Sequence, residues 1–361
     1  MPKEAERTVD ELLERTLRML SPGSILQEAL ENIQRARTGA LIVVGDSPEV
    51  LSLVNGGFHI DADTTPAALY ELAKMDGAII LSRDGKRILH ANTQLTPDPT
   101  IPTRETGTRH RTAERVARQT GELVISISQR RNVITIYRGA MRYVVRDIGV
   151  ILTKANQALA TLERYKSVLK QDLSNLSALE LENLATLSDV LTCVQRAQMV
   201  QRIAREIERY IIELGSEGRL VVMQLEELMT DIHDEDLLVV KDYAVGEKAQ
   251  DFQEIASSLD QWSSDELLDL SLIGKALGVQ ATLADLDMPV TPRGYRLLSK
   301  IPRLPEAIIE NLVLRFGSLP AIMDASIEEL DTVEGIGEVR ARAIQEGLRR
   351  LREQLLLKRP L

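Results

Sequence analysis

The sequence has 361 residues, which is longer than one ordinary hydrophobic core and predicts two or three domains. Its apolar fraction of 44% is typical of a globular protein, whereas aromatic residues make up only 3%, which argues against a base-stacking platform for single-stranded nucleic acid. The net charge of −10 also speaks against a nucleic-acid ligand for the chain as a whole.

The single cysteine, Cys193, excludes an intrachain disulfide and a metal site built from cysteines, and it fits a reducing compartment. Residues 1–7 contain acidic side chains and no apolar stretch, so they do not predict a signal peptide. No apolar run reaches the length that crosses a bilayer. We therefore expect a cytoplasmic protein with no membrane partner.

Residues 1–146 alternate helical and strand-like patterns, which predicts an α/β domain with a mixed sheet flanked by helices. The apolar, β-branched runs Ala40–Val44 and Ala78–Leu81 are typical of buried strands. Further strands are predicted at Arg87–Asn92, Leu123–Ser128, Val133–Tyr137 and Arg142–Val145. Helices are predicted at Leu12–Leu20, Ile25–Arg35, Thr65–Lys74 and Thr112–Gln119.

The next two regions contain little that predicts a sheet. Residues 147–288 predict an all-α spacer domain, with helical patterns at Ile148–Lys170, Ala178–Tyr210 and Leu220–Met229. The run Asp236–Asp242 is compatible with a strand or a helix, and we favour a helix because its neighbours are helical. Residues 289–361 predict short helices separated by tight turns, which is typical of a small compact module.

The segment Asp76–Gly77–Ala78 lies between a predicted helix and a predicted buried strand, where α/β sheets often form ligand clefts. A carboxylate at such a place is a candidate metal ligand or base, and the backbone of Gly77 is open to contact with a ligand. Taken alone, the three residues are better explained by a capping aspartate and a turn glycine.

The segment Gly107–Arg115 carries glycine, threonine, arginine and histidine in a predicted loop that leads into a helix at Thr112. Hydroxyls, guanidiniums and the free N–H groups of a helix start suit a triphosphate. His110 is a candidate for binding metal or phosphate, or for structural packing. A solvated run of charge explains the arginines, but it does not explain Gly107 or the threonines.

Near the C-terminus, the segment Ile327–Ala341 predicts a helix that ends at about 332, a turn with Gly335 and Gly337, and a new helix from Glu338. The first N–H groups of that helix would hold a phosphate oxygen, and Arg340 would add positive charge. Charge is unevenly distributed: residues 231–290 hold 14 acidic and 3 basic side chains, and residues 291–361 hold 10 and 12. A mildly basic tail permits a phosphate ligand there.

This turn, Gly335–Ile336–Gly337, resembles that of the helix-hairpin-helix family. The earlier segment Ile301–Ile309 resembles the partner hairpin but lacks both glycines. An ordinary helical turn with capping glycines is the alternative. The resemblance implies DNA binding through phosphates, without sequence specificity and sensitive to salt.

Two segments together, Met75–Ala78 before an apolar strand and Gly107–Arg115 opening a helix, are similar to the diadenylate cyclase family. The segments that support this resemblance are Thr38–Gly45, Gly56–Phe58, Ala91–Leu95 and Ile125–Gln129. The order of the three regions also matches a member of this family in which a helical spacer and a hairpin tail follow the cyclase domain. The spacer resemblance begins at Ala155–Tyr165.

The resemblance implies roles for residues of this sequence. Asp76 would act through Mg²⁺ or Mn²⁺ to activate a ribose 3′-hydroxyl. Gly77 and Leu95 would meet the nucleotide through their backbones, and Ser128 would contact phosphate. The residues expected to hold the triphosphate and to stabilise charge as pyrophosphate leaves are Thr108, Arg109, His110, Arg111 and Thr112.

The resemblance also implies partners. The substrate would be ATP and the product cyclic di-AMP, whose two-fold symmetry requires two facing sites and therefore a homo-oligomer, an octamer in the resembled family. Branched or junction DNA would bind the tail, at the nucleoid, and regulate the cyclase. Two other functions are compatible with the residues: a non-catalytic DNA-repair scaffold and an ATP sensor with a degenerate site.

Overall fold

The structure is a computed structural model that describes residues 12–230, 235–246, 252–279 and 285–357, apart from the side chains of 236, 356 and 357. The chain forms two compact units, one of Met1–Asn156 with Glu208–Val222 and the other of Gln157–Ile207 with Met223–Leu361. The boundaries 1–146, 147–288 and 289–361 stay a prediction.

The first unit contains a mixed sheet of eight strands. The strands are β1 (Ala40–Val44), β2 (Val54–Asn55), β3 (Phe58–Asp63), β4 (Ala78–Leu81), β5 (Arg87–Leu95), β6 (Leu123–Ser128), β7 (Val133–Arg138) and β8 (Met141–Val144). Their order is β2-β5-β4-β1-β6-β7-β8, and β3 also pairs with β5. β1 and β4 run parallel, and the other pairs are antiparallel. The predicted mixed sheet is confirmed.

Helices cover both faces of this sheet. The helices of this part of the chain are α1 (12–19), α2 (Ile25–Ala36), α3 (Pro48–Ser52), α4 (Pro66–Leu72) and α5 (Thr108–Thr120). Alternate residues of β1 point to opposite faces, as the pleat requires: Ile42 packs with α1, α2 and α4, whereas Val43 packs with α3 and α5. Because both faces are covered, every residue of β1 is apolar and buried.

The remaining helices form the spacer and the C-terminal module. They are α6 (Ile148–Leu181), α7 (Leu187–Leu214), α8 (Arg219–Met229), α9 (Glu235–Tyr243), α10 (Phe252–Leu259), α11 (Ser264–Leu268), α12 (Leu270–Ala276), α13 (Tyr295–Ser299), α14 (Glu306–Phe316), α15 (Leu319–Asp324), α16 (Ile327–Asp331) and α17 (Glu338–Leu357). The helical prediction for Asp236–Asp242 is confirmed by α9. The predicted break between Lys170 and Ala178 is wrong, since α6 continues through it.

A buried ion cluster holds α13 against two spacer helices within the second unit. Arg296 is fully buried, and its Nη2 lies 2.5 Å from Oε2 of Glu180 on α6. The carboxylate of Asp242 on α9 accepts the N–H groups of residues 294, 295 and 296 at 2.7–3.0 Å. Removing one member would leave an unpaired buried charge, so the cluster fixes how the C-terminal module meets the spacer.

Candidate functional site

The site begins at the N-terminus of α5, which starts four residues earlier than predicted. The residues predicted as a loop, Thr108 to Thr112, form the first turns of the helix, and Gly107 is the N-cap. Gly107 supplies no side-chain cap, and the first intrahelical bond runs from the Arg111 N–H to the Gly107 carbonyl at 2.8 Å. The amides before Arg111 therefore point out of the helix, and this arrangement binds anions.

Asp76 and Arg109 meet at this helix start, although 33 residues separate them. Arg109 Nη2 donates to Asp76 Oδ1 at 3.0 Å, while the Asp76 side chain stays fully exposed to solvent. A Cβ on Gly39, just before β1, would lie 2.5 Å from Arg109 Nη1, so this glycine makes room for the guanidinium. The sheet thus places one carboxylate and one guanidinium beside the free amides of α5.

Gly77 is required by a close approach between backbones. A Cβ at this position would lie 2.2 Å from the carbonyl carbon of Asn92 on β5, a distance that no side chain tolerates. The Gly77 N–H donates to Asn92 Oδ1 at 3.2 Å, and Asn92 itself has the positive φ of 52°. The contact fixes the turn that presents Asp76 to solvent.

Two predicted site residues lie in strands without a described contact to Asp76. The Leu95 side chain is buried among apolar neighbours, and its residue pairs with Val54. Ser128 ends β6, and its Oγ accepts the Arg131 N–H at 3.1 Å. A Cβ on Gly39 would lie 3.1 Å from the Ile127 carbonyl, so this end of β6 borders the space occupied by Arg109.

His110 takes part in a series of hydrogen bonds that no sequence pattern predicts. Its Nδ1 lies 3.0 Å from the hydroxyl of Tyr137, which donates to Glu105 Oε1 at 2.9 Å. Arg142 Nε also donates to Glu105 Oε1, at 2.6 Å. Tyr137 sits in β7 and Arg142 in β8, and no local pattern in the sequence links them to the helix start. Arg111 and Thr108 are exposed, and Arg111 reaches the Thr106 carbonyl at 3.4 Å.

The protonation states of these hydrogen-bonded side chains follow from their surroundings. Burial alone would raise the pKa of Glu105, but hydrogen bonds from Arg142 and Tyr137 outweigh it and hold that pKa below its usual value. Burial and the bond to Glu105 raise the pKa of Tyr137. Burial lowers the pKa of His110; the charge of Glu105 opposes this, and nearby guanidiniums add to it. Glu105 is therefore ionised, and Tyr137 and free His110 are neutral at pH 7.

The donor set fits a divalent metal only together with a ligand. Within the described residues, no group of three His, Cys, Asp or Glu side chains is placed to hold a metal ion. Mg²⁺ and similar ions commonly bind through one or two carboxylates plus substrate phosphates. The exposed carboxylate of Asp76, beside an anion-binding helix start, fits that second arrangement.

A second helix start with the same design lies at α17. Gly335 has φ +83°, and a Cβ there would lie 2.5 Å from Ile308 Cδ1. Ile336 is buried and anchors the turn, whereas the space around Gly337 is open, with Asp331 Oδ1 the nearest atom to a Cβ at 4.0 Å. The exposed Arg340 donates from Nη1 to the Gly335 carbonyl at 2.5 Å. The predicted helix start at Glu338 is confirmed.

These features define a class: a nucleotide-binding α/β domain, a helical linker and a helix-hairpin-helix motif in one chain. Family models match in that order, as the DisA bacterial checkpoint controller nucleotide-binding domain at residues 27–141, its linker region at 145–286 and the helix-hairpin-helix motif at 318–345.

The chain belongs to the family of the DNA integrity scanning protein DisA. It is 61% identical over 345 residues to that protein of Symbiobacterium thermophilum, covering 96% of this chain and 97% of the relative. It is 59% identical over 345 residues to that of Carboxydothermus hydrogenoformans, covering 96% and 98%. For Acetivibrio thermocellus the identity is 58% over 348 residues, covering 96% of each chain.

The sequence also predicts that no segment crosses a membrane. Among the described residues, no helix combines the length and the apolar character that a membrane span requires.

Proposed function

We propose that this protein is a diadenylate cyclase that condenses two ATP molecules into cyclic di-AMP and two pyrophosphates, and that its C-terminal module binds branched DNA. The observation that supports the cyclase most directly is the meeting of Asp76 and Arg109 at the uncapped start of α5. A carboxylate beside an anion-binding helix start suits the transfer of a nucleotidyl group better than it suits the simple binding of an anion.

In this proposal the triphosphate lies on the free amides of α5. Thr108 and Thr112 contribute hydroxyls, and Arg109 and Arg111 contribute charge that opposes the negative charge developing on pyrophosphate. The 3′-oxygen of one ATP attacks the α-phosphorus of the other, the bond to pyrophosphate breaks, and the hydroxyl proton passes to solvent. A repeat in the opposite direction closes the ring. Gly77, Leu95 and Ser128 complete the nucleotide contacts.

Asp76 activates the attacking hydroxyl. This carboxylate would help to hold Mg²⁺ or Mn²⁺, whose charge would lower the pKa of the 3′-hydroxyl. Asp76 currently pairs with Arg109, so nucleotide binding would draw Arg109 towards phosphate and release the carboxylate. The full exposure of Asp76 also fits a group that serves a ligand on a facing copy.

The reaction requires two copies. Each ATP attacks the other, so two equivalent sites must face one another, and a lone copy holds half of the reaction centre. We propose a homo-oligomer in which cyclase domains meet face to face, with the octamer of the resembled family as the expected size.

The C-terminal module would bind DNA through phosphates at Gly335, Ile336 and Gly337, with Arg340 adding charge. The open space at Gly337 supports this, because a nucleic-acid backbone can approach the amides without a clash. We propose that branched DNA bound here changes the rate of the cyclase, with inhibition as the expected sign. Because the proposed ligand is DNA, we propose that the protein acts in the cytoplasm, at the nucleoid.

One assay tests the cyclase directly. The full chain is incubated with ATP or GTP and with Mg²⁺ or Mn²⁺, and the product is identified by mass. We expect cyclic di-AMP and pyrophosphate from ATP, and a changed rate when a four-way junction replaces linear duplex DNA. Junction binding without any nucleotide product would instead support the non-catalytic scaffold.

A further inference from the structure

The hydrogen-bond chain behind His110 lies outside the residues that would touch the nucleotide. Tyr137 is buried on β7, Glu105 precedes α5, and Arg142 lies on β8. A buried tyrosine hydroxyl that joins a histidine to a carboxylate fixes the orientation and the tautomer of the imidazole ring.

The donors and acceptors allow one arrangement. Ionised Glu105 only accepts hydrogen bonds, so the single hydroxyl proton of Tyr137 goes to Glu105. The Tyr137 oxygen must then accept the Nδ1–H of His110, because a lone pair on Nδ1 would face another lone pair. Neutral His110 therefore carries its proton on Nδ1, and its Nε2 holds a lone pair.

The free edge of the ring faces the helix start. A Cβ on Gly107 would lie 3.8 Å from Cδ2 of His110, the ring atom bonded to Nε2. The ring edge that contains Cδ2 and Nε2 thus lies beside Gly107, the N-cap of the helix start at which an anion would bind. A proton added to neutral His110 can only go on Nε2. The negative charge of Glu105, which reaches the ring through Tyr137, then compensates the positive charge of the imidazolium.

We infer that Tyr137 and Glu105 are positioning residues that orient His110 so that its Nε2 gains a proton and donates it as a hydrogen bond to the nucleotide's phosphates. This inference rests on the proposed function for the identity of the ligand. Free His110 is neutral, and a triphosphate beside it favours the imidazolium form. The charged or titratable groups that face the ring are Glu105, Tyr137, Arg142, Arg131 and Arg109.

The first test needs no turnover. ATP binding to the full chain is measured by calorimetry without divalent metal, across pH 6 to 9, on the parent and on Tyr137→Phe. The parent should bind ATP more weakly as pH rises and should take up a proton on binding. Tyr137→Phe should lose most of that pH dependence, because the neutral ring is no longer held with Nε2 towards the ligand.

The second test separates positioning from packing. In the cyclase assay, Tyr137→Phe should lower kcat by about tenfold or more, the loss that follows when the group orienting a metal-binding histidine is removed. In a His110→Gln background, Tyr137→Phe should lower kcat no further, because Tyr137 and Glu105 then have no imidazole ring to orient. Glu105→Gln removes a charge that supports the imidazolium, so the alkaline loss of activity should move to lower pH.

Tyr143→Phe is the matched control. Tyr143 also donates to a carboxylate, Glu213 Oε2 at 2.6 Å, but it packs on the opposite face of the sheet from Tyr137. Its removal should leave the pH dependence of ATP binding and of kcat unchanged. Equal losses from Tyr137→Phe with and without His110, together with unaltered pH dependence, would overturn the inference. If ATP binding behaves as expected but no cyclic product forms, the inference stands and the proposed cyclase fails.

Discussion

Two helix starts in this protein, those of α5 and α17, use the same elements in different ways. Each follows a glycine, exposes unpaired amides and carries arginines in its first turns. At α5 the side chains are held by distant partners: Arg109 by Asp76, 33 residues away, and His110 by Tyr137, 27 residues away. At α17, Arg340 bonds to Gly335 and Arg342 to Glu338, both within one or two turns.

The difference separates two kinds of anion site. A site built from local contacts can hold a phosphate backbone wherever it meets one, which suits binding without sequence specificity. A site built from a sheet and a helix fixes several groups around one reacting atom, which catalysis requires. The following substitutions test whether the start of α5 is a catalytic site and the start of α17 a site that only binds phosphate.

The largest effect is expected from Asp76→Asn. The amide keeps the size of the side chain but cannot act as a carboxylate towards metal or hydroxyl, so cyclase kcat should fall by roughly 10³-fold. Binding of ATP without metal should be nearly retained. Asp63→Asn is the control, because Asp63 is an exposed carboxylate paired with Arg87 at 3.2 Å. Full turnover by Asp76→Asn would remove the assigned role.

Gly77→Ala should come next. Its Cβ would overlap the backbone of Asn92 and Thr93, so β5 must move, and overpacking of this kind costs about 1–3 kcal/mol. We expect a lower melting temperature and loss of cyclase activity with DNA affinity retained. Gly107→Ala is the control, since its φ is −83° and its Cβ would meet nothing closer than 3.8 Å. Equal stability of the two variants would show that the close approach is unimportant.

The contrast between local and distant contacts also explains what the sequence could predict. β1 and β4 were predicted residue for residue, because strands covered on both faces are uninterrupted apolar runs. β3, Phe58–Asp63, was missed although its apolar residues alternate with polar ones, because nearly all of its residues are exposed and aspartate is uncommon in strands. The start of α17 was predicted because glycines mark it locally. The start of α5 was placed four residues late, since Thr112 resembles a capping residue and Gly107 has no capping side chain.

The same difference between local and distant contacts decides which residues of the candidate site could be predicted from the sequence. The motifs around Asp76 and Arg109 are local in sequence and could be found, although only the sheet brings them to 3.0 Å. Tyr137 and Glu105 could not be found, because their link to His110 depends on the pairing of β6 with β7 and on the packing of α5.

A cap added to each helix start should give a smaller effect. Gly107→Asn and Gly337→Asn each place a side-chain acceptor where it can satisfy the free amides, and both positions have room for it. The unfolding free energy should stay the same or rise by roughly a few tenths of a kcal/mol. Gly107→Asn should weaken ATP binding and Gly337→Asn should weaken DNA binding, each by about tenfold, the size of one charge-assisted hydrogen bond.

The matched alanine variants add bulk without a cap, so Gly107→Ala and Gly337→Ala should retain more binding than the asparagines. Each asparagine should also leave the other ligand's affinity unchanged. Weaker DNA binding by Gly107→Asn would mean that the two starts do not act separately. Stable variants with undiminished binding would show that the amides are not the anion sites.

The smallest effect is expected from Arg340→Gln. Arg340 is exposed beside the hairpin, so it should contact a phosphate and release about one counterion when DNA binds. DNA affinity is measured against salt concentration, and the slope of the logarithmic plot should fall by about one for this variant. Arg350→Gln on the same helix, far from its start and paired with Glu346 at 2.7 Å, should leave the slope unchanged. If both variants lower the slope equally, DNA follows the length of α17, and the local start at Gly335–Gly337 is not the main contact.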